Sequence, residues 1–386
     1  MFKEKPSPML SLARTNTTFI GRWWWTIDRW IVIAILLLIS IGILLIMAAS
    51  PAVADQHHWN SFYFIKKHLI FLIPTLLILG GVSLLSIGNI KKLAFTVFAV
   101  SMGGLCLTWF SGVEIKGASR WLMIGGMSIQ VSEFVKPAFA IVSAWLFSKQ
   151  HFEPSFPGNI ISILLYLLVI GLLLLQPDLG MVIVVTVMWF SQFFLAGLPL
   201  FWIFSAGGIG LTGIVGAYFL FSHVKRRVDH FLFPDIGDKF GDRYQITQSL
   251  DAFMNGGLIG KGPGEGTVKK YLPDAHADFI FAVAGEEFGL ILCLCLVVFF
   301  AFIILRCLNH LFKERNLFVV LAVSGLIVQF GLQTIINMAS TLNLMPTKGM
   351  TLPFISYGGS SMLALAIAMG MVLGLTRRRI EVHERL

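Results

Sequence analysis

Leu272–Leu305 reads LPDAHADFIFAVAGEEFGLILCLCLVVFFAFIIL. A polar loop ends at Asp278, and from Phe279 onward the chain is apolar for long enough to cross a bilayer as a helix. Glu286 and Glu287 sit inside that span. A charged side chain at the bilayer centre costs roughly 2.5–3.5 kcal/mol on insertion scales, so acids there face protein or a wet cavity and carry function by default. The stretch therefore predicts a membrane-spanning helix that opens at one acid and holds two more.

The rest of the chain agrees with a membrane setting. Of 386 residues, 56% are hydrophobic and 13% are charged, against about 25% charged in a soluble protein. Mean hydropathy is +0.83. Ten apolar runs are long enough to span: 31–49, 68–87, 92–110, 132–149, 160–176, 179–196, 199–221, 279–305, 317–341 and 359–376. A lipid-embedded backbone must satisfy its own hydrogen bonds, and these runs are too long and uniform for barrel strands, so the fold is all-α and polytopic. The organisation is a cytoplasmic N-terminal segment, 1–30, a ten-helix membrane domain, 31–376, and a cytoplasmic tail, 377–386. A large extracytoplasmic loop, 222–275, precedes the eighth span.

Orientation follows from Lys and Arg in the short loops. Fifteen lie on the side of both termini and six on the other, which places the termini in the cytoplasm. The net charge of +9 is thus a topology signal, and no nucleic-acid partner is expected. Some thirty mostly polar residues precede the first span, so no cleavable signal is expected there. Trp23, Trp24 and Trp25 beside Arg22 fit an interfacial anchor. The four cysteines are expected to be free, buried and structural. Cys293 and Cys295 point to opposite helix faces and cannot hold one ion.

Several polar groups fall on or between the spans. Asp278 suits either a helix N-cap or a general base, and the neighbouring Glu286 and Glu287, which capping does not explain, favour the base. Glu133 and Lys136 are three apart, share a helix face, and form either a functional pair or a lock between helices. Gln176-Pro177-Asp178 reads as a break followed by a cap. Gln329, Gln333 and Asn337 form a polar stripe that reads as helix glue. Lys225-Arg226-Arg227 can hold a phosphate or touch headgroups. Ile246, Leu250, Phe253 and Met254 suggest a short amphipathic helix on the membrane. The six-glycine run Asn255–Gly266 reads as a bend. Ser356-Tyr357-Gly358-Gly359-Ser360-Ser361 suits close helix contact or sugar binding.

Seven motifs in this order resemble one family. They are Gly117-Ala118-Ser119-Arg120-Trp121, Gln130-x-Ser132-Glu133-x-x-Lys136, Gln176-Pro177-Asp178-Leu179-Gly180 and Tyr244-Gln245-x-x-Gln248-Ser249, then Leu272-Pro273-x-x-His276-x-Asp278-Phe279-Ile280-Phe281-Ala282, Glu286-Glu287-x-Gly289 and Leu352-Pro353-x-Ile355-Ser356-Tyr357-Gly358-Gly359-Ser360-Ser361. The chain resembles the SEDS family (shape, elongation, division and sporulation), which polymerises peptidoglycan glycan strands. Pro346–Pro353 and Val283–Glu287 are similar to its cell-division branch more than to its elongation branch. Two positions depart from the pattern: Ala277 stands where Thr is usual, and Ser128 where a basic residue is common.

The resemblance implies a lipid II substrate, Asp278 as catalytic acid, and a divalent cation, magnesium or manganese, with no organic cofactor. It also implies a class B penicillin-binding protein and division-complex partners at the septum of the bacterial inner membrane. The chemistry is inverting transfer from an α-linked pyrophosphate donor to a β-linked glycan, which needs one base and cationic help for the leaving group. Expected substrate contacts are Arg120, Glu133, Lys136, Arg227, His276, Lys348, Ser356, Tyr357, Gly358, Gly359 and Ser360. No metal ligand is named by the sequence. The rival readings are an elongation-type polymerase, a lipid II flippase and a non-catalytic scaffold.

Overall fold

Helices account for nearly all regular structure in the computed structural model, which describes residues 19–377 except 57, 112, 116–117, 125–126, 347–348 and most of 198–241. A short helix α1 (Phe19–Thr26) leads into α2 (Arg29–Gln56), α3 (Tyr63–Ser83) and α4 (Ile87–Ser111). Then come α5 (Ser132–Phe152), α6 (Gly158–Leu175) and α7 (Leu179–Leu195). After the partly described region follow α8 (Asp242–Gly256), α9 (Ile280–Leu311), α10 (Leu317–Thr341) and α11 (Gly359–Leu375). Six of these (α2, α3, α4, α6, α9 and α10) are long and apolar enough to cross a membrane. The apolar helices α7 and α11 are shorter, and α5 carries Glu133, Lys136 and Lys149. The seventh predicted span, 199–221, falls largely outside the described residues.

Burial separates inner from outer helices. In α10, 78% of the most apolar window is buried, against 22% in α6 and 28% in α3. Helices α5 and α11 are buried almost all round, the mark of a helix inside a bundle. The polar residues therefore lie on the inner helices, and the outer ones turn leucine, isoleucine and valine outward. The inner helices pack on each other and on α3 and α4.

The loop 111–131 contains a three-stranded antiparallel sheet that hydropathy did not reveal. Its strands are β1 (Val113–Ile115), β2 (Ala118–Ile124) and β3 (Met127–Gln130), with Trp121 opposite Gln130. The β2–β3 pairing runs from Trp121 opposite Gln130 to Ile124 opposite Met127.

Two other expectations are corrected. Cys293 and Cys307 are buried, but Cys106 and Cys295 are exposed on the outer surface; the opposite facing of Cys293 and Cys295 holds. Helix α8 exists, but Met254 is 73% exposed and the buried face is Ser249, Ala252 and Gly256. Gly256 faces inward because it lies on the α9 backbone, where a Cβ would come within 2.0 Å of the Gly285 carbonyl oxygen. Ser249 donates to the Thr341 carbonyl of α10, and Phe253 packs against Phe281 of α9.

Candidate active site

Asp278 stands at the N-terminal end of α9, and its segment is fixed through three consecutive carbonyls. The His276 carbonyl accepts from Tyr357 N at 2.9 Å. The Ala277 carbonyl accepts from Ser356 Oγ at 2.6 Å. The Asp278 carbonyl accepts from Asn337 Nδ2 at 2.9 Å. The backbone is thus held from α10 and from the 350–357 loop without use of the Asp278 side chain. The capping alternative fails: Phe279 occupies the cap position of α9, and no side-chain bond caps the helix. The carboxylate is half-buried and lies beside the 342–358 loop at Gly349, where a Cβ would come within 3.0 Å of Asp278 Oδ2. Glycine there lets the loop backbone approach the acid.

The same loop is tied to the buried pair on α5. Lys136 is wholly buried, 2.8 Å from Glu133 Oε2, and donates to Gln333 Oε1 at 3.0 Å. Gln333 Nε2 in turn donates to the Thr351 carbonyl at 3.1 Å, and Asn337 Nδ2 donates to the Met350 carbonyl at 2.7 Å. The stripe read as helix glue is therefore a rail. It runs from the Glu133–Lys136 pair along α10 to the backbone of both the Asp278 segment and the loop facing it.

His276 is 7% exposed, and its ring lies 4.1 Å from that of Phe64 and 5.2 Å from that of Tyr357. Tyr357 is half-buried. Burial, with Tyr63 close by, pushes its phenol up to about 12, so the hydroxyl keeps its proton at neutral pH. Ser356 also accepts from Leu352 N, and Ser360 Oγ accepts from Gln130 N at 3.0 Å. Both serines are thus engaged as joints, Ser360 linking β3 to α11. Gly358 packs near Thr351, and Gly359 lies against the Phe71 ring, too close for a Cβ. Arg120 is engaged elsewhere: its Nε and Nη2 donate to the Gln176 and Pro177 carbonyls at 3.0 and 2.7 Å, and Nη1 is 3.7 Å from Asp178. Asp178 caps α7 as the sequence suggested, accepting from Met181 N. Arg227 and Lys348 lie outside the described residues, as do Arg226 and Thr347. Sequence reasoning missed the positioning roles of Gln333 and Asn337. It also missed His68, which is 1% exposed below Tyr357 with neither ring nitrogen bonded. Their four-residue spacing was visible for the first two; nothing marked His68.

Glu286 and Glu287 have a structural explanation. Glu286 Oε1 accepts from Thr267 N and Val268 N at 2.7 Å each and from Asn255 Nδ2 at 2.9 Å, and Oε2 accepts from Lys269 N at 3.0 Å. Glu287 pairs with the buried Lys269 ammonium and accepts from Gly264 N. The backbone donors that follow the glycine run thus close on the protein's own carboxylate. Around it α9 breaks at Gly289 (φ 72°). Leu290 N and Ile291 N bond Gly257 and Leu258 carbonyls, while Lys261 N and Gly262 N bond Glu286 and Glu287 carbonyls. A Cβ on Gly289 would lie 2.4 Å from the Leu258 carbonyl oxygen, so the loop can thread the break only beside glycine. Glu286→Gln replaces part of this acceptor set with a donor facing N–H groups. We expect residues 255–272 to lose protection in hydrogen exchange, with the inner helices unaffected. Unchanged protection there would refute the clamp.

Among the described residues no three His, Cys, Asp or Glu side chains converge as a metal site. They do not fit a protein-built cage for a divalent cation.

These features match one family over nearly the whole chain. The family model described as "Cell cycle protein" (FTSW_RODA_SPOVE) matches residues 28–381. The chain belongs to the FtsW/RodA/SpoVE family. A relative named probable peptidoglycan glycosyltransferase FtsW, from Caulobacter vibrioides, is 43% identical over 370 residues, covering 96% of this chain and 94% of its own. One of the same name from Coxiella burnetii is 37% identical, covering 90% and 96%. Among solved structures, a chain described under "Structural coordination of polymerization and crosslinking by a peptidoglycan synthase complex" matches with TM-score 0.76 and 26% identity, covering 92% of this chain and 98% of that one. Thermus thermophilus RodA matches with TM-score 0.65 and 25% identity, covering 92% and 97%. The all-α polytopic fold is that of the FtsW/RodA/SpoVE family, and the division-type FtsW relatives are the more similar in sequence.

Proposed function

We propose that this chain polymerises lipid II into β-1,4 glycan strands at the outer face of the bacterial cytoplasmic membrane during cell division, with Asp278 as the base. The observation that carries the reading is the fixing of the 276–278 backbone by three carbonyl bonds, independent of the Asp278 side chain. A general base must be held within hydrogen-bond reach of the proton it takes, and here bonds to main-chain carbonyls fix its place. The base removes the proton from the acceptor 4-hydroxyl. That oxygen attacks the donor anomeric carbon, the bond to the pyrophosphate breaks, and undecaprenyl pyrophosphate leaves with inversion. The FtsW names of the relatives support the glycosyltransferase reading and its division branch.

The similar chain described within a synthase complex for polymerization and crosslinking supports a crosslinking partner; in this reading it is a class B penicillin-binding protein, working with other division proteins at the septum. His276 and Tyr357, which pack together and lie in or bond to the segment that carries the acid, remain candidate sugar contacts. Arg227 and Lys348 remain candidates for the pyrophosphate, and a divalent cation would arrive with it. The test is polymer formation from purified lipid II by the purified chain, with and without the partner. Movement of labelled lipid II across vesicles with no polymer in either condition would replace this reading with a flippase.

The topology has its own check. With both termini cytoplasmic, single cysteines at Lys239 and Lys91, on a background lacking the native four, should label from opposite sides with an impermeant reagent. Labelling from one side only would overturn the orientation.

A further inference from the structure

A cavity of about 200 Å³ opens between the start of α2 and the end of α9, at the opposite end of α9 from Asp278. Its charged lining is Asp28, Arg29, Arg306 and His310, with Trp25 and Trp30 beside them. Asp28 is already consumed. Its Oδ2 accepts from Arg306 Nε at 2.8 Å and lies 2.5 Å from His310 Nε2. Its Oδ1 accepts from Trp30 N and Ile31 N, capping α2. Burial alone would raise the Asp28 carboxyl, but the bonds from His310 and Arg306 outweigh it and hold the group well below the usual carboxylate range. It therefore stays ionised, and Arg306 offsets its charge.

The cations are less committed. Arg306 uses only Nε, and its terminal nitrogens have no partner among the described residues, although its side chain is 40% exposed. Arg29 lies 4.5 Å from the Trp25 ring and has no acidic partner among the described residues. The cavity therefore presents a guanidinium fork and a second guanidinium against a single, neutralised acid. Guanidinium forks match phosphate oxygens in pairs. Trp30 is 60% exposed, as expected for an interfacial ring at headgroup level. Ile33, Leu36 and Leu37 on α2 and Phe302 and Leu305 on α9 are exposed apolar side chains further along the two helices, suited to acyl chains.

We propose that this cavity binds the phosphodiester headgroup of an anionic phospholipid, held by Arg306 and Arg29 with its acyl chains along α2 and α9. The site is separate from the polymerising end and does not depend on the reaction proposed above. The test uses the full chain in zwitterionic detergent, titrated with phosphatidylglycerol, phosphatidylcholine or inorganic phosphate, and read by native mass spectrometry and melting temperature. Phosphatidylglycerol should be retained and raise the melting temperature, while phosphatidylcholine should do neither. Arg306→Lys keeps a cation for Asp28 but removes the fork, and Arg29→Gln leaves the Asp28 bonds untouched. Each should weaken phosphatidylglycerol retention by roughly tenfold, the loss of one charge-assisted contact. Should Arg306→Lys fail to fold, Arg29→Gln decides. Equal retention of phosphatidylcholine, unchanged retention in folded Arg29→Gln, or full stabilisation by inorganic phosphate alone would each overturn the proposal.

Discussion

Asp278→Asn is expected to lower glycan polymerisation by about 10²–10⁴-fold, the usual cost of losing general base catalysis, with the protein still folded. The substitution is nearly isosteric. Three bonds from distant segments hold the carbonyls of His276, Ala277 and Asp278, and the substitution touches none of them, so the backbone should stay in place. An amide cannot take the acceptor proton. The measurement compares wild type and variant at equal folded concentration, with melting temperature as control. Substantial activity in the variant would remove Asp278 as the base. Glu286 and Glu287 would be poor replacements, since each carboxylate is buried and spent on loop N–H groups or Lys269. Glu133 would then be the first alternative to test.

The second large effect is expected at the Glu133–Lys136 pair. Lys136→Met leaves Glu133, 4% exposed, without its cation. Breaking a buried pair by removing one partner typically costs about 3–5 kcal/mol, because a buried charge is left uncompensated. The same change removes the donor to Gln333 Oε1 and so loosens the rail that reaches Thr351 and the loop facing Asp278. We expect a marked fall in melting temperature together with lost polymerisation. Adding Glu133→Gln should restore part of the stability, since no charge is then left unpaired. A Lys136→Met protein with unchanged melting temperature and a raised KM for lipid II would instead assign the ammonium to the substrate's pyrophosphate.

Much of the site is legible in the amino-acid order, because its chemistry sits at places where polar groups have no ordinary reason to be. Glu133, Lys136, Glu286 and Glu287 stand out simply as charges within apolar runs. What each does is not legible there. The glutamates of α9 and the pair on α5 look alike in sequence, yet the first two anchor a loop and the second joins the helix rail. Arg120, grouped with the expected substrate contacts, holds the turn at 176–178. In each case the difference lies in partners elsewhere in the chain: Glu286 and Thr267, Lys136 and Gln333, and Arg120 and Gln176.

The sequence by itself determined the fold class, the approximate spans and the order of the motifs. These depend on local hydropathy and on the rule that a lipid-embedded backbone must bond to itself, and both act within one segment. Only the tertiary structure decided that Asp278 is not a cap, that α8 buries its small residues, and that loop 111–131 forms a sheet. It also decided that α9 breaks at Gly289 to admit a neighbouring loop. Those outcomes depend on which backbone groups from distant segments meet, and hydropathy along the chain carries no record of that.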